Sequence, residues 1–173
     1  MFLIRWSRIS DMTTFRKVFI ALSFLVMLLI FIFSARDATK SSSDSGRIGR
    51  FIVKHFYRDY EDMTEAQIDM EVESITYVVR KTAHFTEYLI LGLCLCAAVS
   101  RGLIRPFTIG MLYSVTDEIH QYFVPGRACM LMDVLLDSFG VMTGVICMYT
   151  FMHFFMKNQR RLLKDERREK ICC

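Results

Sequence analysis

The sequence predicts an all-α, polytopic membrane protein: four transmembrane helices and one extracytoplasmic loop containing amphipathic helices. Three observations predict it. Of the 173 residues, 53% are hydrophobic and the mean hydropathy is +0.32, above the range of ordinary soluble domains. The apolar residues come in blocks close to one bilayer thickness rather than evenly spread. The charged residues gather at the ends of those blocks. The expected partners are therefore membrane lipids. The net charge of +4 is no nucleic-acid signal, because Lys and Arg flank apolar segments and form no single stripe.

The elements follow in order. Residues 1–17 are expected as a cytoplasmic N-terminus carrying Arg5, Arg8, Arg16 and Lys17, and residues 18–33 as the first span. An extracytoplasmic loop, 34–82, comes next. It opens with a Ser-rich stretch, 41–46, expected as a flexible linker. Ile48, Phe51, Ile52, Phe56 and Tyr60 then recur at helical spacing among Arg47, Arg50, Lys54 and Arg58. This basic amphipathic helix suits the interface plane or the mouth of a bundle. Thr64-x-x-Gln67 fits a capping box that opens another helix. No Gly or Pro separates that helix from the second span, 83–99.

Pro106, after a short basic turn, suits the first position of a helix, where its missing N–H costs nothing. The third span is 107–124, and Pro125-Gly126 is a strong turn signal. The fourth span is 131–155, with Gly140-x-x-x-Gly144 permitting close approach of another helix. Residues 156–173 form a basic tail. The whole of 18–155 reads as one four-helix membrane domain. The six cysteines include no CxxC pair, so they suggest neither a disulfide framework nor a structural zinc site. Lys and Arg are more numerous at the N-terminus, the 101–105 turn and the tail than in the other loops. Both termini are therefore expected in the cytoplasm.

With that topology, three polar clusters fall at one depth near the external surface. His84 and Glu87 begin span two. Asp117, Glu118, His120 and Gln121 end span three, followed by Arg127. Asp133 and Asp137 begin span four. Within each helix these groups lie three or four residues apart and share a face, and Arg80 precedes His84 by four. Ionisable groups at membrane depth face a protein interior or a wet cavity and mark function. Three readings of the clusters stand side by side. The first is an acid–base or metal site, with His84 or His120 as base or nucleophile. Glu87, Asp117, Glu118 and Asp133 then supply the acid, orienting groups or metal ligands, and Arg127 clamps an anion. No HxxxH or HxxEH spacing supports the metal version, so metal and cofactor are left unassigned. The second reading is recognition of a head group without chemistry, with Arg80, Lys81, Gln121 and Arg127 as binding residues. The third is structural: pairs such as Arg127 with Asp133, or His84 with Glu118, lock the helices together. A small transporter is the least supported role, because no inverted repeat and no cytoplasmic polar half-path are visible.

Three sequence blocks also resemble the VanZ-like family of bacterial membrane proteins. They are Arg80-Lys81-x-x-His84-x-x-Glu87-Tyr88-x-x-x-Gly92, Tyr113-x-x-x-Asp117-Glu118-x-His120-Gln121-x-Phe123-x-Pro125-Gly126-Arg127, and Asp133-x-x-x-Asp137-x-x-Gly140-x-x-x-Gly144. The resemblance covers roughly residues 34–145, and at Asp137 it makes Asn as acceptable as Asp. It implies a multi-pass protein of the bacterial cytoplasmic membrane with a role in the cell envelope. The family name is attached to low-level resistance to the glycopeptide teicoplanin. The implied partners are membrane lipids, lipid-linked envelope intermediates or a glycopeptide. The resemblance supplies no mechanism, so whether the protein is an enzyme stays open at this point.

Overall fold

The computed structural model describes residues 2–36, 38–99, 102–127 and 129–172. Those residues form helices joined by short turns and contain no strand. Five α-helices follow in order: α1 (Phe2–Ser34), α2 (Ala38–Phe56), α3 (Glu65–Val99), α4 (Ile104–Tyr122) and α5 (Leu131–Cys172), with a 3₁₀ turn at Tyr60–Asp62. Among the described residues three segments are long and apolar enough to cross a membrane: Thr14–Ser34, Glu65–Val99 and Leu131–Asn158. Their outer faces carry Phe24, Leu28, Phe139 and Phe151, all exposed. In water such faces would be costly; in hydrocarbon they are the ordinary surface, and a helix satisfies its interior backbone groups internally.

α3 is the hub, packing on α1, α2, α4 and α5. The core runs through Ile30, Tyr88, Leu91, Leu95, Val141 and Val145. The glycines expected to admit a second helix do so. A Cβ on Gly144 would stand 2.1 Å from the carbonyl oxygen of Leu89, and one on Gly140 2.6 Å from that of Phe85. Gly92 returns the contact from α3, with a Cβ there 2.3 Å from the Val141 carbonyl. These small residues let the α3 and α5 backbones touch, which is how helices associate where the hydrophobic effect supplies no drive.

The amphipathic loop is more ordered than the sequence suggests. The expected linker at 41–46 is instead helical, within α2. Its Ser and Gly residues are indifferent helix formers, so tertiary packing decides. Val53 is fully buried where α2 lies along the first half of α3, and Gly49 sits against Thr76. Arg50 pairs with Asp69 at 2.9 Å, and the Tyr57 hydroxyl donates to Glu71 at 2.9 Å. The capping box that starts α3 is present: Thr64 N–H donates to Gln67 Oε1 at 2.8 Å, and Gln67 N–H to Thr64 Oγ1 at 3.4 Å. With 35 residues, α3 spans about 52 Å at about 1.5 Å per residue. That exceeds the ~30 Å hydrocarbon core, and α2 packs along its first turns.

The remaining boundaries move by two or three residues at α4 and by more at the C-terminal end of α5, whose start at Leu131 is as expected. Pro106 is the third residue of α4 rather than the first. It is still within the first turn, whose N–H groups have no intrahelical acceptor. α4 ends at Tyr122, and Gly126 takes φ 75° in the turn that follows, a conformation glycine adopts without strain. α5 continues helical to Cys172, through the segment expected as a tail.

Candidate functional site

The ends of α1 and α4 and the starts of the spanning part of α3 and of α5 meet at one end of the bundle. The register is antiparallel. Arg16 Nε donates to the Ala98 carbonyl at 3.1 Å at the opposite end, while Ser34 reaches Asp117 at this one. The three polar clusters expected at one depth are therefore brought together.

At the centre is Asp117, 3% exposed. Its Oδ2 accepts from three donors on three elements: Ser34 Oγ at 2.9 Å, Tyr88 OH at 3.1 Å and Gln121 Nε2 at 3.2 Å. Gln121 Nε2 also donates to Ser34 Oγ at 3.2 Å. Asp137, 1% exposed, lies beside them with Oδ1 at 3.9 Å from His84 Nδ1. His84, Asp117 and Asp137 each offer one ligand atom, and these atoms lie within 4.8 Å of one another.

Around this centre stand the charged groups. Lys81 Nζ is ion-paired with Asp133 Oδ1. Asp133 is thus held by Lys81, and not by Arg127 as one of the structural pairings supposed. Glu118 Oε1 accepts the backbone N–H of Met130 at 2.6 Å. A carboxylate there suits the positive end of α5, and it gives Glu118 a role in anchoring that helix instead of pairing with His84. Arg127 spends three donors on the protein: Nε on the Arg36 carbonyl at 3.1 Å, Nη1 on Gln121 Oε1 at 3.0 Å and Nη2 on the Phe33 carbonyl at 3.4 Å. It ties the α4–α5 turn to the end of α1. Burial pushes its guanidinium below the usual range, with Arg80 adding to that, while Asp117, Glu118 and Glu87 work the other way. The group stays cationic at neutral pH.

Two adjoining cavities open here. One, about 140 Å³, is lined by Phe33, Ser34, Arg36, Ser45, Arg80, Ala83, His84, Glu87 and Arg127. The other, about 190 Å³, is lined by Tyr77, Arg80, Lys81, His84, Gln121, Gly126, Arg127, Met130 and Asp133. Arg80, His84 and Arg127 belong to both, so the two form one vestibule. Ser45 brings α2 to its edge.

Of the sequence-derived candidates, His84, Glu87, Asp133, Arg80, Lys81, Gln121 and Arg127 line the vestibule. Asp117 lies beneath it, joined to Gln121 and Ser34. His120 does not join it: its ring stacks on Phe31 of α1, centroids 4.5 Å apart. Although it lies three residues from Asp117, His120 is thus engaged with α1 and not with the cluster. Three residues of the centre were not among the candidates. Asp137 belongs to the third polar cluster and motif block but carried no role, because the resemblance makes Asn as acceptable there. Tyr88 stands in the first motif block without a role, and Ser34 gives no signal as a single polar residue beside an apolar run.

Comparison with known proteins gives one match. The family model described as VanZ/LLP1 matches residues 19–154, a longer stretch than the three motif blocks and one that takes in the first span. No curated protein and no solved structure matches the chain.

Proposed function

We propose that this chain, which belongs to the VanZ/LLP1 family, is a multi-pass protein of the bacterial cytoplasmic membrane that holds the anionic, phosphorylated head group of a lipid in its vestibule. The observation that carries this reading is the lining of the smaller cavity: Arg36, Arg80 and Arg127 face one carboxylate, Glu87. Guanidinium groups with planar forks suit phosphate oxygens. The cavity sits at the end of α1's apolar segment, which closes at Ser34, the depth at which lipid head groups lie.

In this reading α4 also crosses the membrane, as the third of four spans. Its 19 residues give about 28 Å at about 1.5 Å per residue, close to the ~30 Å hydrocarbon core. Its two acids, Asp117 and Glu118, are buried inside the bundle, so they add nothing to its lipid face. The excess of Lys and Arg at the termini puts both in the cytoplasm, and the vestibule then opens to the outer leaflet. His84 and Glu87, both lining the cavity, are the groups placed for proton transfer to or from a bound head group. Envelope physiology, including tolerance of glycopeptides such as teicoplanin, is the cellular readout.

The test uses the full chain purified in detergent and native mass spectrometry, with phosphatidic acid against phosphatidylcholine as probes. Phosphatidic acid should be retained preferentially by the wild type, and the preference should fall at least tenfold in Arg80→Gln. Equal retention of the two lipids overturns the reading.

A further inference from the structure

We propose that His84, Asp117 and Asp137 form a binding site for one first-row divalent cation, of the zinc or manganese class, beneath the vestibule. The three residues come from α3, α4 and α5, and one ligand atom from each lies within 4.8 Å of the others. The inference stands on unsatisfied atoms. Both oxygens of Asp137, Oδ1 of Asp117 and Nδ1 of His84 are buried with no hydrogen-bond partner among the described residues. Asp137 is 1% exposed and Asp117 3%. Buried polar atoms are nearly always satisfied, and here four of them sit on the three residues of one cluster.

The chemistry of the set suits a cation. One imidazole and two carboxylates match zinc, manganese or ferrous iron better than calcium or a thiolate-seeking ion. The two carboxylates balance the charge of a divalent ion, which allows all three to be buried together. Ligand atoms about 2.1 Å from a common ion lie at most about 4.2 Å apart. The 3.9 Å between His84 Nδ1 and Asp137 Oδ1 already meets this, and the 4.8 Å limit for the full set calls for side-chain shifts below about 1 Å. Outer support is also present. Ser34, Tyr88 and Gln121 hold Oδ2 of Asp117, which fixes the orientation of the carboxylate and leaves Oδ1 without a partner. Three protein ligands leave a coordination position for water or a phosphate oxygen, and His84 also lines the vestibule. A proton shared among the same groups is the rival occupant. The cation site does not depend on the head-group reading.

The experiment strips the purified full chain with EDTA, dialyses it against zinc chloride and measures zinc per chain, with cobalt(II) absorption as an optical probe. Wild type should hold one zinc, gain thermal stability from it and lose that gain to EDTA. Asp137→Asn and His84→Gln should bind at least tenfold more weakly. Asp69→Asn, whose residue pairs with Arg50 on the exposed surface away from the set, should bind as wild type. The proposal is overturned if the two ligand variants bind zinc as well as wild type. Should they fail to fold, the wild type decides alone. A melting temperature unmoved by zinc and EDTA, with no cobalt ligand-field bands, leaves only the shared proton and overturns the cation. Zinc loss with intact phosphatidic acid retention removes this site and leaves the vestibule reading standing.

Discussion

Ser34 donates its hydroxyl to Oδ2 of Asp117 at 2.9 Å, although 83 residues separate them in sequence. The bond joins the last residue of α1 to the buried face of α4. With Tyr88 and Gln121 on the same oxygen, it makes Asp117 the acceptor on which three helix surfaces converge.

Asp117→Ala is therefore expected to lower the stability of the bundle. It removes the one oxygen to which Ser34, Tyr88 and Gln121 all donate. An unsatisfied buried group costs about 1–3 kcal/mol. Thermal melts in detergent check this. The Asp137→Asn variant is the contrast: its carboxylate accepts no hydrogen bond among the described residues, so its folded yield should match wild type or exceed it. Equal losses in both variants would remove the distinction between scaffold and site.

Arg127→Lys is expected to fail on two counts. Three separate nitrogens of Arg127 serve Arg36, Gln121 and Phe33, and a single ammonium cannot reproduce that fork. The melting temperature should fall, and phosphatidic acid retention with it. A Lys variant that melts and binds like wild type would show that position 127 supplies only charge.

Two ion pairs should differ in strength. Lys81 and Asp133 have side chains 20% and 19% exposed, whereas Arg50 and Asp69 are 57% and 65% exposed. A double-mutant cycle on the first pair is expected to give a coupling of about 1–3 kcal/mol, and on the second about 0–0.5 kcal/mol. Equal couplings would mean that Lys81 and Asp133 are as hydrated as the surface pair.

Gly144→Ala should strongly reduce folded protein, because its Cβ would stand 2.1 Å from the Leu89 carbonyl and backbone cannot give way. Gly46→Ala is the control. Its Cβ meets only Thr76 Oγ1 at 3.9 Å, so helix propensity should raise stability by about 0.5–1 kcal/mol. Yield and melting temperature of the two variants give the comparison.

Topology has a direct test. Cys129 is exposed in the α4–α5 turn, so a membrane-impermeant thiol reagent should reach it in intact cells. The cysteines at 172 and 173 should react only after permeabilisation. Labelling of the C-terminus in intact cells would reverse the orientation and move the vestibule to the cytoplasmic side.

The sequence by itself determined the helical class, the apolar segments and the crowding of polar groups at one end. Hydrophobic blocks and helical spacing are local signals, and Thr64 with Gln67, or Gly140 with Gly144, act within one turn or one face. Spacing also grouped Asp117 with Gln121 correctly, because four residues bring them onto one face. Tertiary structure decided the rest. It turned His120 onto Phe31, gave Asp133 to Lys81, gave Glu118 to the start of α5, and made Asp137 a member of the centre. It also held 41–46 as helix against its weak propensity. The physical reason is the same in each case: periodicity fixes which residues share a helix face, but rotation and axial register between helices are set by packing. Here that packing is the glycine contact of α3 with α5, where Gly92, Gly140 and Gly144 let the two backbones meet and so place His84 beside Asp137.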